Sequence, residues 1–482
     1  FCNIFRNGEF ILDNQLNQNL NTADLNGIHE YSELLSDILK FRARGEVPMA
    51  LVRTYGCQQN VADSEKLKGM LKEMGCDFTE DENEADIIIF NTCAIREHAE
   101  DRVFGNVGAL KNIKRRHPSL IIALCGCMME QEHIAERIYK SFSFVSLVFG
   151  THEIHNFPKL LYSTITENHR IVARGNDDGM IHENIPTLRD GTFKGWLSIM
   201  YGCNNFCTYC IVPYVRGRER SREPEVIMQE ARDMIAAGYK DITLLGQNVN
   251  SYGKTLESKK TFASLLADIA ELDGDFRLRF MTSHPKDLSN ELIDVIASHD
   301  KICNHIHLPF QSGSDRILKL MNRHYDRKRY MEIVNYAKEK IPNLSLTSDI
   351  IVGFPGETYE DFQQTLSLIK EVEYTSLFTF IFSPRVGTPA AKMDDPIPYE
   401  EKSKWFSELL KVQEEIAAKR CASMVSKTYR VLVESAKPNG ELTSRTEENI
   451  IVEFEGSEDL IGTFQNVEVT KARNWILKGK LV

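Results

Sequence analysis

Cys203, Cys207 and Cys210 fall in one short run, Cys203-Asn204-Asn205-Phe206-Cys207-Thr208-Tyr209-Cys210, with C-x3-C-x2-C spacing. Three thiolates on one loop can hold an iron–sulfur cubane and leave its fourth iron without a protein ligand. A cluster that only carries electrons is normally held by four cysteines. The missing ligand is therefore expected to be a substrate or cofactor, and the loop reads as a place for chemistry. The competing reading is a zinc site lacking one nearby ligand, but zinc knuckles usually pair two C-x2-C arms and no second arm follows.

A second set of three is dispersed. Cys57, Cys93 and Cys127 are separated from one another by about one βα unit, and each follows the predicted end of a strand. Any one of them alone reads as a buried, inert cysteine; their like placement points to a second three-thiolate site that only the fold assembles. Cys125 is an alternative third ligand, because Leu124-Cys125-Gly126-Cys127 puts two thiols near one strand end. Cys127 is preferred because it lies beyond the strand, after a glycine that permits a turn. Cys2, Cys76, Cys303 and Cys421 read as packing or surface thiols.

The elements that position these residues follow from periodicity and composition. A chain of 482 residues with 42% hydrophobic content suggests about three domains. Eleven cysteines, with no apolar stretch long enough for a signal peptide or membrane span, fit a reducing cytoplasm better than a disulfide framework. A net charge of -11 means that any nucleic-acid contact comes from local patches. The first residue is Phe1, so the numbered chain is expected to lack its natural start. Residues 1–46, with an Asn/Gln cluster between Asn14 and Asn21 and a short helix over Glu30 to Phe41, read as an extension without chemistry.

The overall class is α/β. Residues 47–165 read as a parallel-sheet domain: strands Ala50 to Tyr55, Ala85 to Phe90, Leu120 to Leu124 and Ser146 to Phe149, with helices Asp63 to Met74, Glu97 to Arg116 and Met129 to Phe142 between them. Residues 151–190 are interrupted by Gly175, Gly179 and Pro186 and read as a connector, with the linker proper at 166–190. Residues 191–420 carry six further strands, Trp196 to Met200, Asp241 to Leu245, Phe276 to Met281, Ile302 to Leu308, Leu344 to Val352 and Ser376 to Phe382, alternating with helices. This rhythm predicts a partial (βα)6 barrel whose site lies at the strand carboxyl ends. Residues 421–482 change to short β-branched runs broken by Pro438-Asn439-Gly440, Gly456 and Gly462, a small all-β barrel.

The rim of the central barrel carries candidates for holding the ligand of the open iron: Gly246, Gln247 and Asn248 after the second strand, Ser283 and His284 after the third, Gln311 after the fourth, and Asp349 with Gly353 at the fifth. Exposed backbone at glycine and amide or carboxylate side chains suit the hydrogen-bonding edges of a polar small-molecule ligand. Each alone reads equally as a turn or a cap. Basic candidates for phosphate contact are Arg216, Arg218 and Arg220 in one alternating tract, Arg323 and Arg327 in a second cluster, and Arg445, Lys471 and Arg473 with Trp475 near the C-terminus. Ion pairing with neighbours such as Glu219 and Asp326 is the plain alternative.

With these residues in place the chain resembles the methylthiotransferase family of radical S-adenosylmethionine enzymes. The likeness rests on Thr54-Tyr55-Gly56-Cys57 with Asn91-Thr92-Cys93 and Cys125-Gly126-Cys127, on Gly202-Cys203 through Cys210 with Ile211-Val212-Pro213, and on a C-terminal TRAM-like module. Tyr201 departs from the family pattern, which more often has an acidic residue there. The resemblance implies two 4Fe-4S clusters. Cys203, Cys207 and Cys210 would hold the one that reductively cleaves S-adenosylmethionine to a 5′-deoxyadenosyl radical, and Cys57, Cys93 and Cys127 would hold an auxiliary one that carries sulfur. The tract Ser198 to Arg222 and Gly246 to Tyr252 favour the branch acting at carbon 2 of N6-isopentenyl-adenosine beside a tRNA anticodon, over those acting on threonylcarbamoyl-adenosine or a ribosomal protein. An aromatic C–H has no acidic proton at neutral pH, so a radical formed beside a bound sulfide is the accessible route. The implied partners are the tRNA anticodon stem-loop, an electron donor such as flavodoxin and a sulfur- or cluster-supply protein, for a monomer without a membrane partner. A redox carrier or an RNA-binding protein with structural clusters is the alternative of another class.

Overall fold

The computed structural model describes residues 25–94, 97–175 and 180–482. The Asn14 to Asn21 stretch, Cys2 and Gly179 lie outside these residues. The chain divides into two compact units, one of described residues up to Tyr55, Asp63–Cys93 and Ala99–Leu188, the other of Gly56–Ala62, Ala94–His98 and Arg189–Val482. Among the described residues no helix is long and apolar enough to cross a membrane.

The first unit is a parallel sheet between helical layers. Its strands are β1 (Met49–Tyr55), β2 (Asp77–Phe78), β3 (Ile87–Thr92), β4 (Ile121–Gly126), β5 (Leu147–Phe149) and β6 (Ile171–Ala173), in the order β2-β1-β3-β4-β5-β6. Side chains alternate across the sheet. Ile87, Ile89, Ile121, Ala123 and Cys125 join one core with Leu67 and Met70 of helix Gln58–Glu73. Ile88, Phe90, Ile122 and Leu124 join the other with Val103 and Val107 of helix Glu97–Arg116. Both faces are covered, which is why these strands read as continuous apolar runs.

Two expectations change here. Residues 151–190 are not an irregular connector throughout: they contain helix Phe157–Thr166, with proline in its first turn, and β6, which pairs with β5 and extends the sheet. A three-residue strand leaves no periodicity to read; its pairing with β5 defines it. The single helix expected over Met129 to Phe142 is a 3-10 turn, Cys127–Glu130, followed by helix Glu132–Ser141.

The second unit holds all six expected barrel strands. They are β7 (Lys194–Ser198), followed by a short hairpin of β8 (Met200–Tyr201) and β9 (Arg220–Ser221), then β10 (Asp241–Leu245), β11 (Arg277–Phe280), β12 (His305–His307), β13 (Ser345–Val352) and β14 (Ser376–Ile381). β7, β10 and β11 pair in parallel, as do β12, β13 and β14, and a bridge from Leu278 to Ile302 joins the two sets. The result is an arc with β7 and β14 at its edges, the partial (βα)6 barrel that the alternation predicts. Leu278, Phe280, Leu346 and Ile350 pack outward into the main core. Arg277, Arg279, Thr347 and Asp349 alternate with them on the opposite, polar face.

Helix Tyr399–Ala422, absent from the expectations, leads to a closed barrel of β15 (Thr428–Ala436), β16 (Glu441–Arg445), β17 (Ile451–Glu455), β18 (Phe464–Arg473) and β19 (Ile476–Leu481) in the order β15-β16-β17-β19-β18. β16 escaped notice because only Leu442 marks its buried side; its other inward residue is Ser444, whose hydroxyl donates to the Val452 carbonyl at 2.7 Å. Two buried arginines of β11 tie this barrel down. Arg277 donates to the Arg445 carbonyl at 2.9 Å, and Arg279 donates to the Thr446 and Glu447 carbonyls at 2.8 Å while pairing with Asp241 at 3.0 Å.

Candidate active site

The cysteine loop leaves the carboxyl end of β7 and is closed at its base by antiparallel pairing of Met200 with Ser221 and of Tyr201 with Arg220. Gly202 makes this closure possible. It sits at φ 76°, and a Cβ there would lie 1.9 Å from the Arg218 carbonyl oxygen. The Cys203 amide then donates to the Gly217 carbonyl at 3.1 Å. Tyr201, where the family pattern more often has an acid, is the hairpin partner of Arg220.

Side chains distant in sequence fix the loop's interior. Asn322 donates to the Asn205 and Phe206 carbonyls at 3.3 and 3.0 Å, Lys286 Nζ donates to Asn205 Oδ1 at 2.6 Å, and the Thr208 amide donates to the Met321 carbonyl at 3.1 Å. Phe206 adopts φ 46°, and the Arg218 guanidinium lies 4.4 Å from the centre of its ring.

Cys203 and Cys207 are buried and Cys210 is half-buried; no disulfide joins any described cysteine. Burial pushes the Cys203 thiol up to about 11 and the Cys210 thiol further up. Both therefore release a proton when iron replaces it. Among the described residues no three His, Cys, Asp or Glu side chains are already drawn together around a single metal-ion position. A cubane binds each thiolate at a separate corner and does not require that convergence. Three cysteines on one closed loop thus fit a cluster with one open iron.

The adjoining strand ends fit a polar ligand of that iron. Buried polar atoms without a partner gather there: Gln247 Oε1, Asn248 Oδ1, Asn250 Nδ2 and Oδ1, Ser283 Oγ and His284 Nε2. These belong to the loops after β10 and β11, which are stitched together by the Val249 amide on the Thr282 carbonyl and by Asn248 Nδ2 on Asp287 Oδ2 at 2.8 Å. Leaving such atoms unpaired is costly, and a bound methionyl or nucleoside group would satisfy them. His284 is held neutral by burial and by the nearby Arg323 guanidinium; its Nδ1 accepts from the Lys286 amide at 3.2 Å, which leaves the proton on Nε2 to donate. Asn250 belongs to the amide-rich run Gly246 to Tyr252 whose side chains were expected to face the ligand, whereas Lys286 was not among the expected residues.

The remaining rim candidates divide. Asp349 is half-exposed with Oδ1 3.5 Å from His307 Nε2, and so keeps acceptor capacity. Gln311 holds φ 67° and bridges β13 through its backbone. Gly246 lies against Met200, 2.6 Å from a Cβ that it lacks. Gly353 corrects its expected role: its amide donates to Glu357 Oε2 at 2.5 Å, and Lys402 fills the place of a side chain, so it serves the turn.

The basic candidates separate by burial. Arg216 is 5% exposed and Arg323 is 4% exposed, which removes both from phosphate contact. Arg220 donates to the Arg216 carbonyl, Arg327 pairs with Glu371 at 2.7 Å, and Arg445 pairs with Glu434 at 3.0 Å. Arg218, Lys471 and Arg473 remain exposed, and Trp475 lies exposed beside the last two. Charge patterning revealed the arginines but not their partners, of which Glu371 for Arg327 comes from a remote segment.

The second trio follows three neighbouring strands. Tyr55, Thr92 and Gly126 stand opposite one another in the sheet, and Cys57, Cys93 and Cys127 come one or two residues later. Gly126 turns the chain at φ 97° and ψ -170°, with Thr92 O only 2.3 Å from where a Cβ would be. Cys125, the alternative ligand, is a core residue packed with Ile89 and Ala123, and burial raises its thiol well above the ordinary range. Cys57 belongs to the segment Gly56–Ala62, where its thiol donates to Asn60 Oδ1 at 3.3 Å.

Comparison with known proteins supplies the family. The radical SAM superfamily matches residues 197–369, the uncharacterized protein family UPF0004 matches 49–150, and the TRAM domain matches 422–482. A tRNA-2-methylthio-N(6)-dimethylallyladenosine synthase of Clostridium botulinum is 51% identical over 96% of this chain and all of its own length. One of Thermoanaerobacter pseudethanolicus is 48% identical over 89% of this chain and 92% of its own. Among solved structures, the radical S-adenosylmethionine methyltransferase TsrM of Kitasatospora setae shares the fold with TM-score 0.54 at 14% identity, covering 71% of this chain and 75% of that one. The chain, with its cluster loop on an open six-stranded barrel and its terminal β-barrel, belongs to the radical S-adenosylmethionine family of the tRNA-2-methylthio-N(6)-dimethylallyladenosine synthases.

Proposed function

We propose that this protein converts N6-isopentenyl-adenosine beside a tRNA anticodon to its 2-methylthio derivative, using two 4Fe-4S clusters, with S-adenosylmethionine as both methyl donor and radical source. The observation that carries this reading is the open-iron cysteine loop at the end of β7, flanked by unpaired polar atoms at the ends of β10 and β11, in a chain half identical to synthases of that name.

When bound, the cluster of Cys203, Cys207 and Cys210 and its S-adenosylmethionine supply a carbon radical able to abstract an unactivated hydrogen. The residues of the chain do the rest. Gln247, Asn248, Asn250, Ser283 and His284 orient the methionyl and nucleoside groups, and Asp349 accepts from ribose hydroxyls. Cys57, Cys93 and Cys127 hold the auxiliary cluster that brings sulfur. An anticodon-loop base can be unstacked at low cost, and Phe378 and Phe380, 48% and 45% exposed on β14, offer it a π face; Phe378 lies edge-on to His307 at 5.6 Å. Lys471, Arg473 and Trp475 present a basic, aromatic surface suited to the stem-loop. A one-electron donor such as flavodoxin and a sulfur- or cluster-supplying protein complete the cycle of a monomeric, cytoplasmic enzyme.

The test is anaerobic reconstitution followed by mass analysis of tRNA nucleosides and of 5′-deoxyadenosine. Cys203→Ala should abolish both products, whereas Cys57→Ala should still cleave S-adenosylmethionine but yield no thiolated nucleoside. Thiolation by the Cys57→Ala chain would refute the sulfur-carrying role, and mass gained by a ribosomal peptide with blank nucleoside digests would refute the substrate.

A further inference from the structure

Arg323 lies in the turn between helices Asp315–Leu320 and Arg327–Lys340, yet its guanidinium is aimed at the cluster loop. It is 4% exposed. Nη1 donates to Cys207 Sγ at 3.4 Å, Nη2 donates to the Pro309 carbonyl at 2.7 Å, and Nε donates to the Tyr325 hydroxyl at 3.2 Å. Its cation also lies 5.2 Å from the centre of the Tyr325 ring. None of these partners is a carboxylate, and no described acidic side chain forms an ion pair with it. An arginine cannot shed its charge, and a buried charge without a counter-charge is strongly unfavourable. Buried Arg279 and Arg222 pair with Asp241 and Glu230, and buried Arg277 donates to the Arg445 and Arg430 carbonyls, whereas Arg323 places a donor on a cysteine sulfur.

We infer that Arg323 is the counter-charge of the radical-generating cluster, donating to the Cys207 ligand sulfur and raising the cluster's reduction potential. This rests on the reading of Cys203, Cys207 and Cys210 as cluster ligands. A three-thiolate 4Fe-4S cluster carries net negative charge that increases by one on reduction. A fixed positive charge and a hydrogen bond at a ligand sulfur therefore stabilise the reduced form more than the oxidised one. Arg323 and Cys207 are both buried on this side of the loop. Low dielectric strengthens the effect. Arg323 is in these terms a positioning and tuning residue, not a catalytic one.

The experiment uses the full chain carrying Cys57→Ala, Cys93→Ala and Cys127→Ala, reconstituted so that the radical-site cluster alone titrates. Iron content and the EPR signal of the reduced cluster report whether the cysteine loop holds it, independently of the inference about Arg323. In an EPR-monitored redox titration, Arg323→Met should move the midpoint to more negative potential at unchanged iron content. An unmoved midpoint at full iron overturns the inference. A second measurement needs no folded variant: with ¹⁵N-arginine incorporated, the pulsed EPR spectrum of the reduced cluster should show a weak nitrogen coupling. Absence of that coupling overturns the inference as well.

Discussion

Replacing Gly126 by alanine should separate the two proposed iron sites. Gly126 is the last residue of β4 and delivers Cys127. Its φ of 97° and ψ of -170° lie in a region essentially restricted to glycine, which costs a residue with a Cβ about 1–3 kcal/mol. The new methyl would stand 2.3 Å from the Thr92 carbonyl oxygen, 2.4 Å from Asn91 Oδ1 and 2.8 Å from the Thr92 amide nitrogen. Two of these are backbone atoms of a central strand, so relief requires β3 to shift. Overpacking of this kind adds about 1–3 kcal/mol. A combined penalty of about 2–6 kcal/mol is met most cheaply by moving Thr92, and Cys93 is the next residue. Both Cys93 and Cys127 are thereby displaced. If the chain holds the two proposed 4Fe-4S clusters, iron and sulfide per reconstituted chain should fall by about half, while cleavage of S-adenosylmethionine continues and thiolated nucleoside disappears. A Gly126→Ala chain with full iron content and undiminished thiolation would refute the argument that this turn sets the second trio.

Three further outcomes follow from other features. Burial pushes the Glu357 carboxyl up to about 7 from the ordinary 4.5, against the opposing bonds from the Gly353 and Phe354 amides. The folded state thus holds its proton more tightly, and stability present below about pH 4.5 should be lost as pH rises to about 7, by about 3 kcal/mol. Urea unfolding of the cluster-free chain across that window should show this slope, and Glu357→Gln should flatten it. Arg279→Met removes the partner of buried Asp241 and two donors to the terminal barrel, so thermal unfolding should report a loss of about 3–5 kcal/mol and limited proteolysis should release residues 422–482 earlier. Phe378→Ala should weaken anticodon stem-loop binding by about 1–3 kcal/mol while Phe378→Trp retains it; fluorescence anisotropy with equal affinities for all three chains would reject the stacking role.

The sequence on its own settled what is local. Cys203, Cys207 and Cys210 are neighbours in the chain, so their common purpose needs no fold to be recognised. The covered sheet of the first unit was visible because strands buried on both faces must be apolar nearly throughout, and the six strands of the central arc because they alternate with helical segments at a regular spacing. That Cys125 falls inside a strand and Cys127 beyond a glycine was also legible, and it is the ground on which Cys127 is proposed as the ligand. Tertiary structure decided whatever depends on partners remote in the chain. Arg216, Arg218, Arg220 and Arg323 look alike as charges; only the fold buries the first and last, leaves Arg218 exposed and sets Arg323 against Cys207 across more than a hundred residues. The same holds for β6, β16 and the unpaired amides after β10. Three residues of strand, a polar strand closing a barrel, and a side chain lacking a partner have no local signature, because pairing, closure and satisfaction are properties of the assembled chain.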